Sequence, residues 1–359
     1  MSGPDSKRRA RVEALVRYLC SPTCAGRAPG TPEGIAARVR IVDELRAAGA
    51  SPAGTDGYLQ DVPGCGANVL AEVAGDGPLA GRTIVVAAHY DHLGKRFDGA
   101  VYWGADDNAA AVAILVEVGR DVALRRRPGR RVLLAAYDGE EPPHFLGSTM
   151  GSMYHVAHPT VPLASIDAMV CMDLCGHAIG PEGVPAAVRD SLFVFGAELS
   201  PGAGELVERA AIPGGVYPRR ADLDLLPSLS DYHAFREAGV PVLFLTCGRW
   251  RHYHQPTDTP DRLDYDRVVG TVDYLAGLVQ LLRERPGAPA AFDADARDDV
   301  TSVGSFLTLA RHLAPYTSGA ARTVTMLEEL AADAARGPLS AEQRLLISWM
   351  MSTFEDALA

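Results

Sequence analysis

The chain has 359 residues, 47% of them hydrophobic and 22% charged, the values of an ordinary globular protein rather than a disordered or fibrous one. Lys and Arg number 34 against 45 Asp and Glu, a formal charge of −11, which is the opposite of the basic balance of a nucleic-acid binder. No stretch approaches the roughly 18 consecutive apolar residues of a membrane span. Short basic clusters at Lys7–Arg9, Arg125–Arg127 and Arg130–Arg131 sit at element edges and are expected to face solvent. The opening MSGPDSKRRA leads into an amphipathic pattern with no secretory apolar core, so the expected location is cytoplasmic. Two of the cysteine spacings are C-x-x-x-C, Cys20/Cys24 and Cys171/Cys175, with Cys65 and Cys247 alone. Because neither pair forms a tight C-x-x-C knuckle, reduced and mostly buried thiols are expected rather than a four-thiolate zinc site.

Val12, Leu15, Val16 and Leu19 mark the apolar face of a first helix, and a second is expected over about 31–48. Short runs rich in Val, Ile, Leu and Phe follow at 68–73, 82–88, 131–137, 167–174, 191–196 and 241–246. They do not alternate with polar residues, which is the pattern of strands covered on both faces. Helical stretches near 107–124, 201–211 and 264–284 separate them. This alternation predicts a three-layer α/β/α sandwich around a mixed, largely parallel sheet, over residues 1–285. In such sheets chemistry gathers in the loops beyond the strand C-termini. A Pro/Ala-rich connector over 286–300 (PGAPAAFDADA within it) leads to a helical extension over 301–359. Its helices are expected near 302–314, 320–336 and 340–358. The last carries a Ser340/Gln343 capping box and an apolar face of Leu346, Trp349, Met350 and Phe354. The extension is expected to pack on the main domain, with an oligomerisation element as the other reading.

Each strand mouth carries a histidine or a carboxylate. Strand 82–88 runs into HYDHLG, with His89 a natural zinc ligand and Asp91 placed to accept its other N–H; a hydrogen-bonded structural pair reads the same way. GADDNAAAVA puts Asp106 and Asp107 before a long apolar helix, where capping accounts for one acid better than for two. YDGEEPPHF sets Glu140 beside Glu141, which repel unless a cation or proton intervenes or the loop is simply solvated. MDLCG ends a strongly apolar run on Asp173, and HYHQPTDTPDRLD adds His252, His254 and Asp258. Histidine with oxygen ligands suits one or two divalent ions, zinc foremost.

Taken in order, AHYDHLG, GADDNAAAVA, YDGEE followed by LGS, MDLCG and YHQPTDTPDRL resemble the co-catalytic zinc aminopeptidases, to which glutaminyl cyclases are related. The resemblance spans about residues 8–285 and extends to the early GRAPGTPEG. It implies a zinc exopeptidase-like fold and two Zn2+ per chain. It further implies that Asp106 bridges the ions, that His89 and Asp173 complete one site, and that Glu141 and His254 complete the other. Glu140 would be the general base and Asp91 would orient His89. The partner would be a peptide with a free N-terminus, neither nucleic acid nor membrane, and the oligomeric state stays open. Pro142, Pro143 and His144 depart from the small or aliphatic residues usual after the glutamate pair; the prolines would stiffen that loop and His144 is read as a polar loop residue. His233, in SDYHAF, is given no ligand role, and His92 and His252 are read as spare histidines near the site, either backing the ligands or exposed. Arg249, Trp250, Arg251 and Tyr253 could contact substrate or simply face solvent. A one-zinc glutaminyl cyclase chemistry and an inactive binding protein of the same fold are the competing readings.

Overall fold

The computed structural model describes residues 4–358 except 126, 181–182, 212–214 and 317–318; the side chains of 4, 5, 320, 321 and 353–358 lie outside that description. The first half of the chain forms α1 (Pro4–Leu19), α2 (Pro32–Ala47), β1 (Ser51–Pro52), β2 (Leu59–Val62), β3 (Gly66–Val73), β4 (Thr83–His89), α3 (Ala110–Arg125), β5 (Arg131–Tyr137), α4 (Gly151–Ala157) and β6 (Ile166–Met172). The second half forms α5 (Ala186–Arg189), β7 (Ser191–Phe195), α6 (Ala203–Arg209), β8 (Tyr217–Ala221), α7 (Tyr232–Glu237), β9 (Val242–Thr246), α8 (Tyr265–Glu284), α9 (Asp299–Leu313), α10 (Ala320–Ala334) and α11 (Ala341–Leu358).

The described strands make one mixed sheet in the order β1-β3-β5-β4-β6-β9-β7-β8, with β2 paired to β3. Its middle four strands, β5, β4, β6 and β9, run parallel, with His89 level with Tyr137 at the end of the β4/β5 register. β3 joins β5, and β7 joins β9, antiparallel. Every residue of β4 and of β6 is buried, because helices lie on both faces. One group comprises α1, α2, α3 and α8; α4 and α7 pack on each other, and α7 also packs on β6 and β9. This is the expected three-layer sandwich. Its parallel strands deliver four C-terminal ends, and four loops, to one edge of the sheet.

Local chemistry starts the helices where the sequence places them. Thr31 accepts from the Gly34 amide ahead of α2, Asp264 from Arg267 ahead of α8, and Asp298 from Thr301 ahead of α9. Ser340 and Gln343 form the reciprocal box at α11, at 2.9 and 3.2 Å. The run that starts α3 is buried from Ala110 to Gly119 without a break, as befits a helix walled by the sheet and by α1 and α8.

Several elements differ from expectation. β1, β2 and β8 were not anticipated, because β2 is short and only partly buried and β8 reads YPRRA at the sheet edge. The four- to seven-residue helices α4, α5 and α7 carry too few turns for a periodic signal. Arg130 does not face solvent: it is 1% exposed, its Nε donates to Asp167 at 2.5 Å, and Nη1 caps carbonyls at the end of α8. Arg126 of the neighbouring cluster lies outside the described residues. On α11, Ile347 and Met350 are buried while Trp349 is exposed, so the inward face is rotated from the one expected; Phe354 lies outside the described side chains. α9, α10 and α11 contribute Phe306, Leu309, Leu330, Ile347 and Met350 to the same continuous core as the sheet. All six cysteines are free thiols, with Cys65 half-buried and the rest buried. Among the described residues no helix is long and apolar enough to cross a membrane.

Candidate active site

The four parallel strand ends and the loop before α3 converge on one buried cluster. His89 closes β4 and points Nε2 at Asp107 Oδ1 (3.3 Å) and Asp173 Oδ1 (3.5 Å), with Glu140 Oε2 at 3.9 Å. His254, in the loop after β9, points Nε2 at the other Asp107 oxygen (3.2 Å) and at Glu141 Oε2 (3.1 Å). Asp107 therefore stands between two groups, one facing His89 and Asp173, the other facing Glu141 and His254. Their ligand-type atoms fall into two sets, His89/Glu140/Asp173 and His92/Asp107/Glu141.

Asp106, the expected bridge, is not the aspartate that stands between the two groups. Asp106 is turned away: its Oδ1 accepts from the Gly176 amide (2.5 Å) and its Oδ2 meets His177 Nδ1 (2.6 Å). The reason lies in the loop path. Asp107 and Asn108 have non-helical backbone angles, so successive side chains leave in different directions. Asp258, 151 residues further on, accepts from the amides of both Asp106 and Asp107 at 3.0–3.2 Å and fixes that path. The Arg27 guanidinium locks it from below, donating to the carbonyls of Tyr90, Trp103, Gly104 and Asp107.

Asp91 makes other bonds than the one expected of it. It lies 3.6 Å from His89 Nδ1, beyond hydrogen-bond length, while its two oxygens accept the amides of Glu140 and Glu141 at 3.1 Å each. It thereby ties the β4 mouth to the glutamate loop. Of the two readings of His92, the structure has the one that backs the cluster: it is buried, with Nδ1 2.7 Å from Glu141 Oε1. Its position directly after Asp91 at the same strand mouth was the available signal. His177 was missed, since it follows MDLCG without any spacing cue; it stacks on Trp250 at 4.8 Å between ring centroids. His144 bonds Thr149, His233 bonds Ser228 and His252 bonds Thr257, so none of the three enters the cluster.

Asp91, Asp106, Asp107, Glu140, Glu141 and Asp173 are all buried. Burial, with Asp173 and Glu141 close by, pushes Glu140 well above the usual carboxylate range, and burial likewise raises Asp173. Burial opposes charge on Asp107, but His92, His254 and His89 together hold it well below the ordinary value. Burial would lower His89, yet Glu140 and Asp173 outweigh it and raise it well above the ordinary imidazole. So much buried negative charge needs protons or cations.

The arrangement suits cations. His89 Nδ1 and Nε2, His92 Nε2, Asp107 Oδ2 and Asp173 Oδ1 are buried without a well-formed hydrogen bond, which is costly unless something else satisfies them. Two ligands of one tetrahedral zinc, each about 2.0–2.1 Å from it, lie about 3.3 Å apart. The His89 and His254 gaps to Asp107, Asp173 and Glu141 span 3.1–3.5 Å. The donor set of imidazole and carboxylate without thiolate is also a zinc set.

A model of peptidase family M28 matches residues 68–279. The uncharacterized protein YfbL of Escherichia coli K12 is 28% identical over 302 residues, covering 78% of this chain and 90% of its own length. The LapA aminopeptidase of Legionella pneumophila aligns with a TM-score of 0.60 at 14% identity, over 80% of this chain and 77% of that one. Glutaminyl cyclase of Porphyromonas gingivalis aligns with a TM-score of 0.58 at 17% identity, over 76% of this chain and 98% of that one. At these identities the two structural likenesses speak to the fold.

Proposed function

The chain belongs to peptidase family M28, whose members are zinc-dependent peptidases or related enzymes, and from that premise we propose that it is a two-zinc aminopeptidase. The observation that carries this reading is Asp107, which offers one oxygen toward His89 and Asp173 and the other toward Glu141 and His254. The residues that would hold the ions are His89, Asp107 and Asp173 for one, and Asp107, Glu141 and His254 for the other. Zinc bound there would supply Lewis acidity, making water nucleophilic near neutral pH and polarising the scissile carbonyl.

The chain's own residues divide the remaining work. Glu140 takes the proton of the attacking water on its carboxylate and returns it to the leaving amine. Its raised pKa reflects burial among other acids, and positive charge beside it would bring that value down and leave a carboxylate able to act as base. Asp91 holds the main chain of both glutamates, so Glu140 is aimed without itself being tied. The surplus of carboxylates favours a substrate that brings an ammonium group, which is what a free peptide N-terminus is.

The test is metal content per chain together with two assays, an aminoacyl anilide and an N-terminal glutaminyl peptide. Two zinc ions and release of the anilide are expected. Glu140→Gln should keep the metal and lose about 10²–10⁴-fold in rate. One zinc per chain with pyroglutamate as product would replace this reading with cyclase chemistry.

A further inference from the structure

A cavity of about 220 Å³ adjoins the cluster and shares Asp173 with it. That is more than ten times the ~15 Å³ a single water needs. The loops after β6 and β9 contribute the charged or ionisable groups of the described lining, namely Asp173, His177, Cys247, Arg249 and Tyr253. Part of the remaining wall comes from elsewhere. Phe306 and Leu309 of α9 and Ser348, Met351 and Ser352 of α11 line it, and both helices lie beyond the stretch 68–279 matched to the family.

The wall is built rather than incidental. Phe306, Phe193, Phe195 and Phe244 form a ladder of rings, each 6.2–6.3 Å from the next, that runs from α9 into the sheet. All four rings line the cavity. Ser348 of α11 donates to the Leu225 carbonyl at 2.8 Å, holding α11 against the turn that completes the wall. α11 is further pinned through Arg344 to Asp222 and Asp299. Among the described residues of α9 and α11 that line the cavity, none is charged. A charged side chain placed there would be desolvated without a partner, whereas an apolar one trades water for rings and methylenes.

We propose that α9 and α11 form the specificity wall of the active site, and that the cavity receives the side chain of the substrate's first residue, selecting long apolar or aromatic ones. The proposal rests on the aminopeptidase reading and adds to it the substrate class and the part of the chain that sets it. The C-terminal helices are then a component of substrate recognition.

The experiment uses the full-length zinc-loaded protein and the dipeptides Phe-Ala, Leu-Ala, Gln-Ala and Ala-Ala. Binding is read by calorimetry on Glu140→Gln, and kcat/KM on the parent chain. Leu-Ala and Phe-Ala are expected to exceed Ala-Ala by at least about 10–200-fold, the worth of a single added methylene in an apolar pocket. Met351→Trp should reduce the Phe-to-Ala ratio at least about tenfold by filling the cavity. Met351→Ala should shift preference toward still larger side chains, and it keeps the idea testable if the tryptophan variant does not fold. Graded binding without hydrolysis of any dipeptide would uphold the pocket and defeat the aminopeptidase reading. Hydrolysis with side-chain preference unmoved by either folded Met351 variant would do the reverse. A preference for Ala-Ala or Gln-Ala, or no binding and no hydrolysis, would overturn the proposal.

Discussion

Asp106 and Asp107 are neighbours of the same residue type, yet they are engaged in different tasks. Asp106 spends both oxygens on Gly176 and His177, stitching the loop before α3 to the loop after β6. Asp107 keeps one oxygen toward each histidine group. The two positions should therefore separate in a mutational test. Asp107→Asn is expected to lose zinc, falling to one ion per chain or fewer by metal analysis. Asp106→Asn should retain both ions and instead lose about 1–3 kcal/mol of unfolding free energy, the cost of leaving buried hydrogen-bond partners unsatisfied. If Asp106→Asn alone stripped the metal, the assignment made from the geometry would have to be exchanged. Arg27 belongs to the same residue-scale design. It is fully buried without a carboxylate partner among its hydrogen bonds, and main-chain carbonyls satisfy its guanidinium, so its charge sits where the Asp107 backbone needs an anchor.

At the scale of elements, the parallel strands set where the ligands are, and the helices beneath them set how the protein responds to pH. α4 packs on α7 below the β5 mouth, and its His155 is buried, with Nδ1 2.7 Å from the Tyr137 hydroxyl. Burial lowers its pKa to about 4. An unfolded chain binds a proton there near pH 6.5, while the folded chain does not until about pH 4. The folded state thus carries stability from this group above pH 6.5 and loses it as pH falls toward 4, by about 3 kcal/mol in all. Half-buried Glu198 and buried Asp258, raised to about 7 and about 8 by desolvation, act with the opposite sign as pH rises through those values. The informative quantity is therefore the difference between the parent and His155→Gln in denaturant unfolding. That difference should shrink between pH 6.5 and 4; a constant difference over this range would mean that His155 does not titrate as its burial demands.

For the whole molecule, the decisive feature is one continuous core. Phe306, Leu309 and Leu313 of α9 and Ile347 and Met350 of α11 are buried in it. At about 1.5–3 kcal/mol for each fully buried large side chain, those five represent on the order of 10 kcal/mol. That matches the whole net stability of a typical domain, about 5–15 kcal/mol. A chain ending at residue 285 would also bare Phe193 and unpin Asp222 from Arg344. We expect it to lose its cooperative thermal transition and to bind an apolar dye. A sharp melt at the parental temperature would show that the first 285 residues fold alone.

Much of this was legible without coordinates, for a physical reason. Strands buried on both faces must be apolar throughout, so β3, β4, β5, β6, β7 and β9 announce themselves as runs, and the residues that end them are at strand mouths by construction. That is why His89, Glu140, Glu141, Asp173 and His254 could be named as candidates from their places in the chain and found together in space. Short or edge elements such as β2, β8 and α4 bury too little to leave a pattern. What tertiary structure alone decided are the matters that turn on a partner distant in sequence. Asp258 and Arg27 decide which of two adjacent aspartates faces the cluster. Asp167 and the end of α8 decide that Arg130 is buried. The ring ladder from Phe306 to Phe244 decides that the C-terminal helices wall the cavity beside Asp173. Periodicity reports how a segment meets water, whereas the direction of one side chain depends on contacts that the chain makes only once folded.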